Sequence, residues 1–423
     1  MADDRFPILG KGEQLAEPIK YSPGGREKEP FRTFDQARSR LLPQMENLLS
    51  EIDDLEPGLR IDKIFFKVAL DFEYLAKSYF PLTLFRNSRW EFVGSRPWHQ
   101  LSRDGEAFKE IKPARLLFLS ASRMTIEDSY QRIERAKDMT RKEREDLAKI
   151  DQLGLPNSQD RLIDLKLFTK GVFELIFHPL SLHEWRECKK KLDRLASEGK
   201  GSEFLWDWKR GEHPEPIFLP ARLVRKDFER LGLFNPLRAA RPMPSISFPR
   251  IRKTRVTKLQ EMPPKPVTRS VYPEIGVLDG GADTLCEPLR GWSTNVDITP
   301  APVREDYFEH GTAVCGAALF GPLSPQQAPP EPKFKVKSFR VLPPLGGDDP
   351  LALYRVLDLV QDIVESEENQ HIEIYVMSFG PDTTIADEEI DRFTVTLDQL
   401  AYRENGSSLL CVGNVILWCM VYA

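Results

Sequence analysis

The chain lacks the features that would place it outside the ordinary globular class. It has no apolar run long enough to span a bilayer, which takes about eighteen residues or more, so no transmembrane helix is expected. Met1-Ala2-Asp3-Asp4 puts acids where a secretory signal needs bases, and no apolar stretch follows, so secretion is not expected. Cysteine is scarce: five residues, at 188, 286, 315, 411 and 419, odd in number and scattered. No C-x-x-C pair occurs, so neither a disulfide framework nor a zinc site is indicated, and a reducing cytoplasm fits best. Both phosphate loops, G-x-x-x-x-G-K-[ST] and G-x-G-x-x-G, are missing, which argues against a nucleotide-binding domain. A net charge of −5 supplies no global attraction for nucleic acid. Neither a metal site nor a cofactor is indicated, since the acids form no ligand cluster.

What the chain does hold is enough apolar material for a core. Its 423 residues suggest two or three domains, with 41% hydrophobic and 30% charged residues. Residues 1–35 are polar and rich in Gly and Pro and read as an extended arm. Helical spacing of Leu41, Leu42, Met45, Leu48, Leu49 and Ile52 follows. Ile64–Leu70, Trp90–Arg96 and Arg115–Ser120 read as strands, and Tyr74–Phe80 as a short helix ended by Pro81. Residues 36–125 thus form one α+β module. Residues 126–235 begin with a charged helical stretch to 149 and continue as a second module. There Val172–His178 and Glu215–Leu219 are strands, and Leu182–Leu195 and Arg222–Leu231 are helices. Ferredoxin-like sandwiches would satisfy this order. Residues 236–270 hold seven prolines and nine Lys or Arg with one acid, Glu261, and read as a solvated basic linker.

From 271 onward strands and helices alternate. Strands are expected at 275–279, 334–341, 372–378 and 408–412, and helices at 310–319, 351–366 and 387–402. Apolar strands separated by helices imply right-handed crossovers and a parallel, doubly wound α/β sheet. Function in such sheets gathers at the carboxyl ends of the strands. Asp279, Ser378 and Asn414 fall at or just past such ends.

Asp279 ends an apolar strand before Gly280-Gly281; taken alone, the plain structural reading is a turn cap. His310 precedes Gly311-Thr312 and a run of small apolar residues. Its ordinary pKa suits a general base, although a structural histidine is the competing reading. Glu309 beside it reads as a solvated acid. Ser378-Phe379-Gly380 leaves a strand whose backbone could pair with an extended peptide. Leu409–Val412 delivers Gly413-Asn414, whose amide could stabilise an oxyanion.

In this order D-x-G, H-G-T-x-V-x-G, S-x-G and G-N resemble the subtilase (subtilisin-like, S8) family of serine peptidases, over roughly 270–414. The resemblance implies that Asp279 orients the imidazole and that His310 acts as base and then acid. It further implies that Ser378, Phe379 and Gly380 line the substrate groove for a polypeptide, and that Asn414 donates to the oxyanion. Leu9–Glu13, Tyr74–Pro81 and Val93–Arg96 resemble leader segments of an intracellular bacterial branch, in which an AAA-type ATPase is a partner. Two departures stand out. Residue 280 is glycine where the family carries a hydroxyl, and no Gly-Thr-Ser-x-Ala nucleophile motif occurs. Gly406-Ser407-Ser408 precedes Asn414 and leads into a strand, and Ser378 sits on another strand end. After Asn414 comes the apolar, loop-hostile Val415–Ala423, as a frameshift or premature stop would leave. The expectation is therefore an incomplete peptidase domain without covalent catalysis. The alternative is a catalytically dead interaction protein that binds a partner such as that ATPase.

Overall fold

The computed structural model describes residues 32–101, 111–163, 170–198, 202–205, 216–247, 262–267, 271–321, 328–346, 348–382, 389–401 and 408–411. Residues 1–31 of the stretch expected as an extended arm (1–35), and Asn414, lie outside them; the end of that stretch instead caps and opens a helix at Thr33 and Phe34. The described residues are mixed α/β, with two four-stranded sheets, one parallel five-stranded sheet and a two-stranded ladder. Among the described residues no helix is long and apolar enough to cross a membrane.

The first module starts with α1 (Phe34–Asp54), whose Thr33 and Gln36 form a capping box. It continues through β1 (Lys63–Leu70), α2 (Leu82–Asn87), β2 (Glu91–Leu101), β3 (Ile111–Ser122), α3 (Arg123–Arg135), α4 (Arg141–Ala148) and β4 (Ile150–Gly154). Its antiparallel sheet runs β2-β3-β1-β4. The alternation of β1 explains its place. Ile64, Phe66, Val68 and Leu70 pack under the helices, while Phe65 and Ala69 face the second module.

Two expectations are corrected here. Pro81 opens α2 rather than closing a helix before it, and Lys77–Tyr79 makes only a 3-10 turn. A proline ring suits the start of a helix, where its missing N–H is not needed. The helical stretch over 126–149 also belongs to the first module. Its sheet is completed by β4, whose Ile-Asp-Gln-Leu-Gly sequence carries little strand signal. Asp151 on β4 is held instead by Arg32 and Arg40.

The second module repeats the plan with β5 (Lys170–Phe177), α5 (Leu182–Glu198), β6 (Glu203–Phe204), β7 (Ile217–Val224), α6 (Arg225–Leu231) and β8 (Leu237–Pro242), in sheet order β6-β7-β5-β8. β8 and the short β9 (Ile246–Ser247) lie within the stretch expected to be a solvated linker. The charge of β8 does not repel it into solvent, because both of its arginines find buried acids. Arg238 Nε donates to Glu389 at 2.6 Å and Arg241 Nε to Glu174 at 2.7 Å. The two modules share a core in which Phe65 and Phe118 meet Phe173, Leu175 and Phe177. Asn235 bridges them from a buried position. Its Oδ1 accepts from Phe65 N at 2.9 Å, and its Nδ2 donates to Phe65 O at 2.8 Å.

The carboxyl-terminal sheet runs β11-β12-β10-β13-β15, all parallel. Its elements are β10 (Glu274–Asp279), β11 (Ser293–Asp297), α7 (Glu305–Phe320), β12 (Lys335–Arg340), α8 (Ala352–Glu365), β13 (Ile374–Met377), β14 (Gly380–Pro381), α9 (Arg392–Ala401) and β15 (Ser408–Cys411). β11 was not expected: Ser-Thr-Asn-Val-Asp has one apolar residue, and only a 3-10 turn over Glu287–Leu289 separates it from β10. α7 covers one face against Ile275 and Val277, and α8 and α9 cover the other against Leu278 and Met377. The outer face of the second module docks on α8 and α9 through Ile176, Phe218 and Ala239 around Tyr354, with Val395 beside them. Tyr354 Oη donates to the buried Glu174 Oε1 at 2.8 Å.

Candidate acid–base site

Period-two geometry decides which way Asp279 points. Ile275, Val277 and Asp279 alternate onto the α7 face of β10, so the carboxylate emerges beneath that helix at the carboxyl edge of the sheet. The chain leaves β10 towards β11 and β12 on one side and later returns to β13 on the other. Asp279 therefore stands where the winding direction reverses, the position at which open α/β sheets form crevices.

The helix must come unusually close to meet this carboxylate, and three glycines allow it. A Cβ on Gly280 would lie 2.3 Å from Tyr307 O, and one on Gly311 would lie 2.1 Å from Gly281 O. Gly281 has φ +92°, a conformation that side chains resist. Thr312 then ties the helix to the loop. Its Oγ1 accepts from Asp283 N at 2.9 Å and donates to Phe308 O at 2.7 Å. Asn295 Oδ1 on β11 accepts from Ala282 N at 2.9 Å. The helix begins at Glu305, earlier than expected, with Glu305 and Asp306 in its first turn, where the helix dipole favours acids. His310 consequently sits in the second turn, and Glu309 is exposed.

His310 Nδ1 lies 2.9 Å from Asp279 Oδ1 and 3.0 Å from Oδ2. Asp279 is 1% exposed and the His310 side chain 16%. Gly280 N donates to Oδ1 at 2.6 Å, and Ser378 Oγ donates to Oδ2. Burial pulls the imidazole pKa down, but the hydrogen bond and charge of Asp279 outweigh it and hold it above its ordinary value. With Nδ1–H committed to the carboxylate, the neutral ring keeps its lone pair on Nε2, as a general base requires. Cys315, buried deeper in the same helix, offers no substitute nucleophile. Burial and the Asp279 charge push its thiol up to about 12, so it stays protonated at neutral pH.

The structure thus brings Asp279, His310 and Ser378 together. Ser378 donates to the acid, and Phe379 turns into the core at 1% exposure. Gly380 and Pro381 pair antiparallel with Ser247 and Ile246 of the same chain, and Asp382 N donates to Ser245 O at 2.8 Å. Thr312, Asn295 and Tyr307 were not anticipated as organisers of the site. The Thr of H-G-T was the available signal for the first; the other two depend on the fold alone. Among the described residues no group of three or more His, Cys, Asp or Glu could hold a metal ion. Comparison with protein-family models and with curated proteins finds no match.

Proposed function

We propose that Asp279 and His310 are the acid and the base of a subtilisin-like serine endopeptidase site. The observation that carries this reading is the Asp279–His310 pair itself, a buried acid and a half-buried imidazole at the carboxyl edge of a parallel sheet with Nδ1 committed to the carboxylate. The parallel, two-faced sheet supports the subtilisin-like fold. The repeated β-α-β-β-α-β order, with antiparallel sheets of matching strand order, supports ferredoxin-like modules before it. The backbone at Gly380 is competent to pair with an extended polypeptide substrate, since Ile246–Ser247 already pairs with it. No Gly-Thr-Ser-x-Ala motif occurs in the 423 residues, so on this reading the chain by itself performs no acyl transfer.

Two measurements test the proposal. The purified chain should neither cleave casein nor react with a fluorophosphonate probe. Cleavage abolished by His310→Ala would show that a nucleophile had been overlooked. The titration of His310 followed by NMR should move to lower pH in Asp279→Asn, because both the hydrogen bond and the charge that raise it are weakened. An unchanged titration would remove the acid–base assignment.

A further inference from the structure

We propose that Ser378 is a positioning residue for Asp279, its hydroxyl fixing the carboxylate through Oδ2 so that the acid holds His310 in the Nδ1–H tautomer. This rests on the acid–base reading above and changes the role of Ser378 within it. The placement follows from strand register. β13 pairs with β10 in parallel, Leu278 opposite Met377, so the next residues, Asp279 and Ser378, leave the sheet side by side. Val376, two residues before Ser378, packs with the α7-side core, so Ser378 emerges on the face that carries Asp279.

The acid needs this hydroxyl because its own neighbour cannot supply one. A side chain at 280 would run into the backbone of Tyr307, with the Tyr307 carbonyl carbon 2.4 Å from its Cβ. Gly280 therefore gives only its N–H, and gives it to Oδ1. Among the described residues Oδ2 would otherwise be held by the imidazole alone, in a carboxylate that is 1% exposed. Without the hydroxyl the carboxylate is fixed to the backbone only through Oδ1 and is free to turn about that contact, and the imidazole then loses its fixed acceptor. The Ser378 hydroxyl, just past the end of β13, closes that freedom at Oδ2.

The test uses the full chain labelled with ¹⁵N-histidine; it has six histidines, so the His310 signals are assignable by substitution. Long-range ¹H–¹⁵N spectra report which ring nitrogen carries the proton. The native chain should show His310 as the Nδ1–H tautomer. Ser378→Ala should give a mixture with substantial Nε2–H, and Ser378→Cys, which keeps the volume but donates weakly, should do the same. Ser378→Thr should restore the native tautomer. A native tautomer in Ser378→Ala and Ser378→Cys, with an altered one in Asp279→Asn, would overturn the positioning role and leave the acid–base pair standing. An unaltered tautomer in Asp279→Asn as well would remove the pair itself.

Discussion

Gly311→Ala sets two physical effects of opposite sign against each other. Gly311 is in the interior of α7, where replacing glycine by alanine ordinarily stabilises a helix by about 0.8–1 kcal/mol. Here the new Cβ would lie 2.1 Å from Gly281 O and 3.1 Å from Gly281 C. Those are backbone atoms of a loop held by Thr312 and Asn295, so no flexible side chain can swing aside. Overpacking of this kind costs about 1–3 kcal/mol, and a contact with fixed backbone belongs at the upper end. The net expectation is a loss of about 1–2 kcal/mol once the propensity gain is subtracted. Hydrogen exchange of the α7 amides is the appropriate assay, because a chain of several modules does not unfold as one unit. Protection should fall about five- to thirtyfold, the factor that 1–2 kcal/mol represents. Ala313→Gly, at a half-buried position on the same helix, calibrates the propensity and should also lower protection. Greater protection in Gly311→Ala than in the native chain would refute the argument that the close approach of helix and loop dictates glycine here.

Three further outcomes are expected. Arg238→Ala leaves Glu389, 2% exposed at its side chain, without its nearest cation and should destabilise the docking of β8 by about 3–5 kcal/mol, seen as faster proteolysis between residues 236 and 270; the double variant Arg238→Met/Glu389→Leu should recover most of this. Tyr354→Phe removes a donor from the buried Glu174, whose carboxyl burial already pushes above its ordinary value, and should cost about 1–3 kcal/mol in urea unfolding followed by a probe on α8. Because the folded-state pKa of His310 is raised, its stabilising contribution is complete below the ordinary histidine value of about 6.5 and is lost as pH rises through the folded value. His310→Ala should therefore cost more stability at pH 5 than at pH 8, and an equal loss at both would contradict the Asp279 contact.

Much of the fold was legible because most strands announce themselves by composition. β1, β5, β10 and β13 are apolar runs, and α8 carries a continuous apolar stripe. β4 and β11 were not legible. They are short and polar, and they exist because a neighbouring strand offers a free edge and because partners such as Arg32 and Arg40 neutralise Asp151. The stretch after Pro236 misled for a related reason. Its arginines look solvated until the acids Glu174 and Glu389, distant in sequence, are placed beside them.

The sequence by itself determined the parallel alternation of residues 271 onward, and the motif resemblance named an aspartate and a histidine 31 residues later as partners. Periodicity and short motifs are local properties, and both survive without the fold. Only the tertiary structure decided that Ser378 serves the acid, that Phe379 is core, and that Ile246–Ser247 occupies the edge at Gly380. Each of those depends on strand register and on the approach of segments far apart in the chain, and no local pattern encodes either.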